Sequence, residues 1–201
     1  MGGNPFAREL VSGERLVWRG QPDPSVLFTP ADLFLVPFSL LWGGFAIFWE
    51  TSVLGMWGSS AGGGGPPVFF ALWGVPFVLM GLYFIAGRFV YKAWRKRRTF
   101  YAVTDRRVLI LTRLWRTSLQ SLYLDQLPGL EKSVRGDGSG SITFGSPSFW
   151  AGAYANSGME LFGQSRGAVA PAFHDVPNVE RVYRLIRDLR EGRPNGGAPS
   201  V

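Results

Sequence analysis

Charged residues disappear from the chain twice. Leu33 to Trp49 runs seventeen residues without one, and Thr51 to Gly87 runs thirty-seven more, with Gly62 to Gly65, Pro66 and Pro67 interrupting the second stretch. A helix rises about 1.5 Å per residue and the hydrocarbon layer is about 30 Å thick, so about 20 residues make one crossing. The pattern therefore predicts two membrane helices, one over 32–50 with room to run on to Met56, the other over 67–91. Neither keeps the polar stripe that a core helix of a globular protein turns to solvent. Pro37 and Pro76 fall inside the spans as candidate kinks, and proline is tolerated there where neighbouring groups satisfy the freed carbonyl. Trp42, Trp49, Trp57, Trp73, Tyr83 and Tyr91 include several near the span ends, where amphipathic rings form interfacial belts.

Beyond Arg98 the periodicity changes. Thr99 to Thr104 and Val108 to Thr112 are β-branched and aromatic runs separated by Asp105-Arg106-Arg107, which predicts a hairpin. Ser118 to Leu124 alternates imperfectly as a further strand. Leu130 to Arg135 and Ser141 to Phe144 flank Gly136-Asp137-Gly138-Ser139-Gly140, a second hairpin. That glycine-rich loop lacks the Lys-Ser/Thr pair of a phosphate-cradling loop and no helix follows it, so its glycines serve the turn. Ser146 to Gly158 reads as a surface loop carrying Phe149, Trp150 and Tyr154, and Trp150 is a candidate for dipping into the bilayer interface. Met159 to Phe162 and Ala168 to Phe173 are candidate closing strands. A helix over Val176 to Arg190 follows, capped by Asp175 or Asn178 with Pro177 in its first turn. Val179, Val182, Ile186 and Leu189 share one face of it, and Arg181, Arg184, Arg187 and Arg190 the other. Gly192 to Val201, rich in Gly and Pro, is expected to be a disordered tail.

The 201 residues are 46% hydrophobic and 17% charged, a mixture that lies between soluble and membrane classes because the chain contains both. The net charge of +7 is unevenly spread: residues 1–87 carry −2, residues 88–98 carry +6 and residues 99–201 carry +3. Arg88, Lys92, Arg95, Lys96, Arg97 and Arg98 follow the second span directly, whereas the loop between the spans has no Lys or Arg. The positive-inside rule then puts this flank in the cytoplasm, the loop outside, and both termini in the cytoplasm of a multi-pass inner-membrane protein. The six cations set topology and are the candidate contacts for anionic lipid headgroups, each worth about 1 kcal/mol near an anionic leaflet. Nucleic acid is not the expected partner, since the charge lies beside the bilayer and not on a face of a folded module. The first apolar run starts too late for a short cleaved leader, so both spans are expected to stay.

Candidate chemistry is sparse. With no cysteine there is no disulfide, thiolate or cysteine metal site. His174, the only histidine, has no second histidine for a metal and no serine partner for a triad, and is read as a structural residue near the helix cap. Asp32 and Glu50 sit at opposite ends of the first span, too far apart to act as acid and base. No catalytic residue, metal or cofactor is expected.

Three segments carry a family resemblance: Leu10 to Pro22 (LVSGERLVWRGQP), Tyr101 to Val108 (YAVTDRRV), and Phe173 to Asn178 (FHDVPN) ahead of a helix. With two membrane helices between the first and second, the chain resembles bacterial membrane proteins that carry a pleckstrin-homology-like domain, over about Leu10 to Leu189. The resemblance implies an α+β fold: a partly open barrel of about seven strands closed at one end by the C-terminal helix, with the membrane hairpin inserted after a first strand at Arg15 to Arg19. It implies no catalytic residues, and no phosphoinositide role passes to Arg106 or Arg107. The expected organisation is a cytoplasmic N-terminal segment (1–31), the hairpin (32–91), a cytoplasmic PH-like domain (92–191) and the tail. The expected function is a non-catalytic, membrane-anchored interaction module that presents its β-domain to a protein partner or to anionic lipid headgroups. The alternative is an accessory subunit of a larger transport or envelope-stress assembly, with Gly43, Gly44, Gly74 and Gly81 at close helix contacts. Oligomeric state is left open.

Overall fold

The computed structural model describes residues 5–59, 68–146, 156–158 and 170–192. In chain order they form β1 (Leu16–Gly20), α1 (Asp32–Ser59), α2 (Val68–Leu82), a π-helical turn (Tyr83–Gly87), α3 (Arg88–Arg97), β2 (Thr99–Thr104), β3 (Arg107–Arg113), β4 (Thr117–Tyr123), a 3-10 turn (Leu124–Gln126), β5 (Leu130–Val134), β6 (Gly140–Phe144), β7 (Ala172–Val176) and α4 (Val179–Arg190). The chain divides into two compact units. One holds Met1–Leu27, Ala93–Ala155 and Phe162–Val201; the other holds Phe28–Lys92 and Asn156–Leu161.

The first unit is α+β. Its strands make a four-stranded sheet in the order β1-β2-β3-β4 and a three-stranded sheet in the order β5-β6-β7, all antiparallel. Among the described residues the two sheets do not close into a barrel, which corrects the expected barrel while keeping the seven strands. As the first segment's resemblance implies, β1 pairs with β2 across the inserted hairpin, Arg19 opposite Ala102.

Side-chain alternation gives the first sheet two buried faces, since successive residues of a strand point to opposite sides. Tyr101, Val103, Val108 and Ile110 face a core shared with Ile142, Phe144, Phe173 and the α4 residues Val179, Val182 and Ile186. Phe173 is its aromatic centre, stacked on Tyr101 at 4.4 Å between centroids and edge-on to Phe144 at 5.0 Å. Ala102, Leu109 and Leu111 face the other way, beneath Phe6 and Leu10. The N-terminal segment is thus a lid on the back of the sheet.

α4 begins at Val179, not Val176, because Val176 is buried in β7. Asn178 holds the N-cap position in the left-handed region with no side-chain cap bond, and Asp175 belongs to the last strand. The four arginines of α4 are exposed and its three buried residues lie opposite them.

The second unit is a helical hairpin. Asp32–Met56 and Val68–Arg97 are both long and apolar enough to cross a membrane. The helices meet along a seam of small residues, with Ala46 and Val53 on α1 and Ala71, Gly74 and Gly81 on α2 buried. A Cβ added at Gly81 would lie 2.7 Å from the Gly43 Cα, so glycine is required there for the backbones to approach. Gly43, Gly74 and Gly81 are used inside the hairpin, while Gly44 faces open space. Most large side chains point away from the seam: Leu33, Leu41, Phe45, Phe48, Phe69 and Leu72 are all exposed. Pro37 and Pro76 lie inside α1 and α2.

Asn156 and Ser157 are buried in this unit, and Tyr83 donates a hydrogen bond to the Gly158 carbonyl at 2.5 Å. The end of the expected surface loop is therefore internal. Gly158 has φ +88, and a Cβ there would sit 2.7 Å from the Arg88 carbonyl oxygen, which explains why the backbone can lie so close. Phe149, Trp150, Tyr154, the Met159 to Phe162 strand, most of the tail and residues 60–67 of the outer loop lie outside the described residues.

Candidate functional site

The six juxtamembrane cations separate by helical spacing. Arg88, Lys92 and Lys96 recur every fourth residue, a spacing that lines one face of a helix, and they are 1%, 0% and 2% exposed. Arg95 is half-buried, and Arg97 and Arg98 are exposed. Only the latter three have surface to offer a headgroup.

Two of the buried cations meet buried carboxylates. In the hairpin unit, Arg88 Nη1 lies 2.5 Å from Asp32 Oδ1, and Arg88 Nε donates to the Phe84 carbonyl at 2.9 Å. Asp32 is held by its own helix start: its Oδ2 accepts from the Thr29 N–H at 2.6 Å and the Thr29 hydroxyl at 2.8 Å, while the Asp32 N–H donates to the Thr29 carbonyl. This reciprocal cap fixes the carboxylate at the start of α1. The ion pair joins that start to the beginning of α3, at one end of the apolar stretch.

In the β unit, Lys96 Nζ lies 2.6 Å from Asp175 Oδ2 and donates to the Asp23 carbonyl at 3.2 Å and to the Val26 carbonyl. Asp175 is fully buried and also pairs with Arg135, while its carbonyl accepts from the Asp23 N–H at 2.9 Å. Its φ of 52 is rare for a residue with a side chain and is sustained by these bonds. One buried carboxylate thereby ties the last strand to α3, the β5 end and the segment before the hairpin. Beside it lies an open hollow of about 470 Å³ lined by Gln21, Pro22, Asp23, Pro24, Lys96, Arg97 and Pro177.

A third ion pair anchors the lid. Arg107 Nε and Nη2 each lie 2.8 Å from the Glu14 carboxylate, which also accepts from the Thr104 hydroxyl at 2.8 Å and the Val11 N–H at 2.9 Å. The Arg107 side chain, ahead of burial and the other bonds, draws the Glu14 carboxyl down from 4.5 to about 2. The carboxylate raises Arg107 in turn. Burial pushes the Tyr101 hydroxyl well above its usual range; it accepts the backbone N–H of His174 at 3.0 Å. His174 is thus a strand residue of β7, not a neighbour of the cap.

Sequence reasoning placed all six cations beside the bilayer but did not separate them. The fourfold spacing of Arg88, Lys92 and Lys96 was the visible signal; the partners Asp32 and Asp175, 56 and 79 positions away, were not. Among the described residues no group of three His, Cys, Asp or Glu side chains could hold a metal.

A model of the Bacterial PH domain family matches residues 40–190. The chain belongs to this family. No curated protein and no solved structure matches it.

Proposed function

We propose that the protein is a non-catalytic interaction module, fixed in the cell's inner membrane by the α1–α2 hairpin with both termini in the cytoplasm. It presents its PH-like domain to a protein partner or to anionic lipid headgroups. The observation that carries this reading is the outward-facing apolar surface of the hairpin, where Leu33 is 87% and Leu41 75% exposed. Water would not tolerate so continuous an apolar surface, whereas lipid tails cover it at no cost. Arg95, Arg97 and Arg98 are the headgroup contacts of this reading.

The test uses the whole chain, because β1 and the Phe6 lid precede the hairpin and a fragment starting after it lacks both. In proteoliposomes containing a photoactivatable phosphatidylglycerol, the triple variant Arg95→Gln, Arg97→Gln, Arg98→Gln should lose most of the crosslink. Equal crosslinking of wild type and variant leaves these cations to topology alone and directs the search to protein partners.

Glu50 favours a second reading, an accessory role in a larger membrane assembly. Its Oε2 is buried without a hydrogen-bond partner among the described residues, and it packs on Gly74. A polar group so placed in a membrane helix marks a site where another polar group would be stabilising. Co-purification of a defined membrane partner that is lost in Glu50→Gln would establish it.

A further inference from the structure

An exposed tip joins β3 to β4. Leu114 to Arg116 form it, and Trp115 is 75% exposed there. It is not isolated. Its ring lies 5.3 Å from that of Trp94 on α3, and the Arg98 guanidinium stands 5.9 Å from the Trp94 ring centre. The Arg113 N–H donates to the Arg98 carbonyl at 2.8 Å, which pins the base of the tip to the end of α3. Arg98, Arg113 and Arg116 are exposed, and none pairs with a carboxylate among the described residues.

Two indole rings interleaved with three carboxylate-free guanidinium groups match a headgroup layer, where tryptophan rests its apolar ring and cations meet phosphate. The level along the chain agrees. Trp94 stands six residues beyond Arg88, the end of the apolar run, or about 9 Å along the helix, and the headgroup zone is about 5 to 8 Å deep on each side of the hydrocarbon. Trp94 thus follows the end of the apolar run by about the depth of that zone.

We propose that Trp115, Trp94, Arg98 and Arg116 form an interfacial site for the phosphate of an anionic phospholipid, in the bilayer that the hairpin crosses. This rests on the membrane reading of the hairpin. The tip is a further attachment of the β-domain, additional to the covalent ones through the segment before α1 and through α3.

The chain lacks cysteine, so single-cysteine variants of the full protein in nanodiscs give clean spin-label sites. Thr117→Cys reports the tip with Trp115 and Arg116 intact, Gln120→Cys the exposed middle of β4, and Leu41→Cys the hairpin. In discs containing phosphatidylglycerol the label at 117 should be several-fold less accessible to an aqueous nickel chelate than the label at 120. That protection should vanish in phosphatidylcholine discs, and with Trp115→Ser or Arg98→Gln/Arg116→Gln added. An aqueous label at 117 beside a lipid-buried label at 41 overturns the site and leaves the hairpin reading standing. An aqueous label at 41 removes both. Protection at 117 that ignores lipid charge and both sets of substitutions overturns the site as well.

Discussion

Acidification should release the N-terminal lid before it unfolds the rest of the β-domain. Glu14 is the group responsible: its side chain is 1% exposed and doubly bonded to Arg107, and its carboxyl is drawn from 4.5 to about 2. The folded value is depressed, so the stabilisation is fully present above the unfolded value near 4.5 and is lost as pH falls towards 2. At about 1.4 kcal/mol per pH unit the difference is worth up to about 3 kcal/mol. For a domain of this size that is roughly 10 °C in melting temperature. The assay is thermal unfolding of the full chain in detergent, followed by near-ultraviolet circular dichroism, for wild type and Glu14→Gln between pH 7 and 2.5. Because the other carboxylates titrate equally in both, the difference between the two proteins isolates Glu14. It should be largest at pH 7 and shrink to roughly a quarter of that at pH 2.5, just above the folded value of about 2. A difference that stays constant across this range would refute the argument.

Other consequences follow from the same packing. Asp175→Asn leaves Lys96 buried without its counter-charge and should cost about 3 to 5 kcal/mol; a double-mutant cycle with Lys96→Met, read by denaturant unfolding, should show strong non-additivity, and additive effects would deny the pair. Phe173→Ala removes the ring on which Tyr101, Phe144 and Trp18 converge and should destabilise the β-domain by about 3 to 5 kcal/mol in the same measurement. In the hairpin, Gly81→Leu should separate α1 from α2, seen as a longer distance between spin labels on the two helices. Gly44→Leu, which meets open space, should leave that distance unchanged.

Local pattern carried much of the fold. The hairpin was legible because uncharged runs of that length have few other uses, and β2, β3, β5 and β6 because their turns are written in Asp and Gly. That a strand before the hairpin joins those beyond Arg98 came through the family resemblance, whereas its register on β2 did not. What stayed hidden depends on distant parts of the chain. Nothing near Phe6 shows that it covers Leu109 and Leu111, since a buried strand reads the same whatever lies on its two faces. The buried end of the 146–158 loop depends on Tyr83, 75 positions away from Gly158, and on a π-helical turn that no sequence signal announced. The cation cluster shows the same limit. Composition counted six positive charges, but Asp32 and Asp175 engage two of them inside the protein, and only folding brings them there. Closure was overestimated for a related reason: strand number can be read from pattern, but whether two sheets join depends on their edges.

The central claim is that the hairpin crosses the inner membrane and leaves the PH-like domain in the cytoplasm. A membrane-impermeant maleimide on intact spheroplasts, with single cysteines at Ser60 and Gln120 in the cysteine-free chain, tests it most directly. The account predicts labelling at position 60 in intact spheroplasts and at position 120 only after permeabilisation. Labelling at 120 in intact spheroplasts, or release of the chain from the membrane fraction by alkaline carbonate, would contradict it.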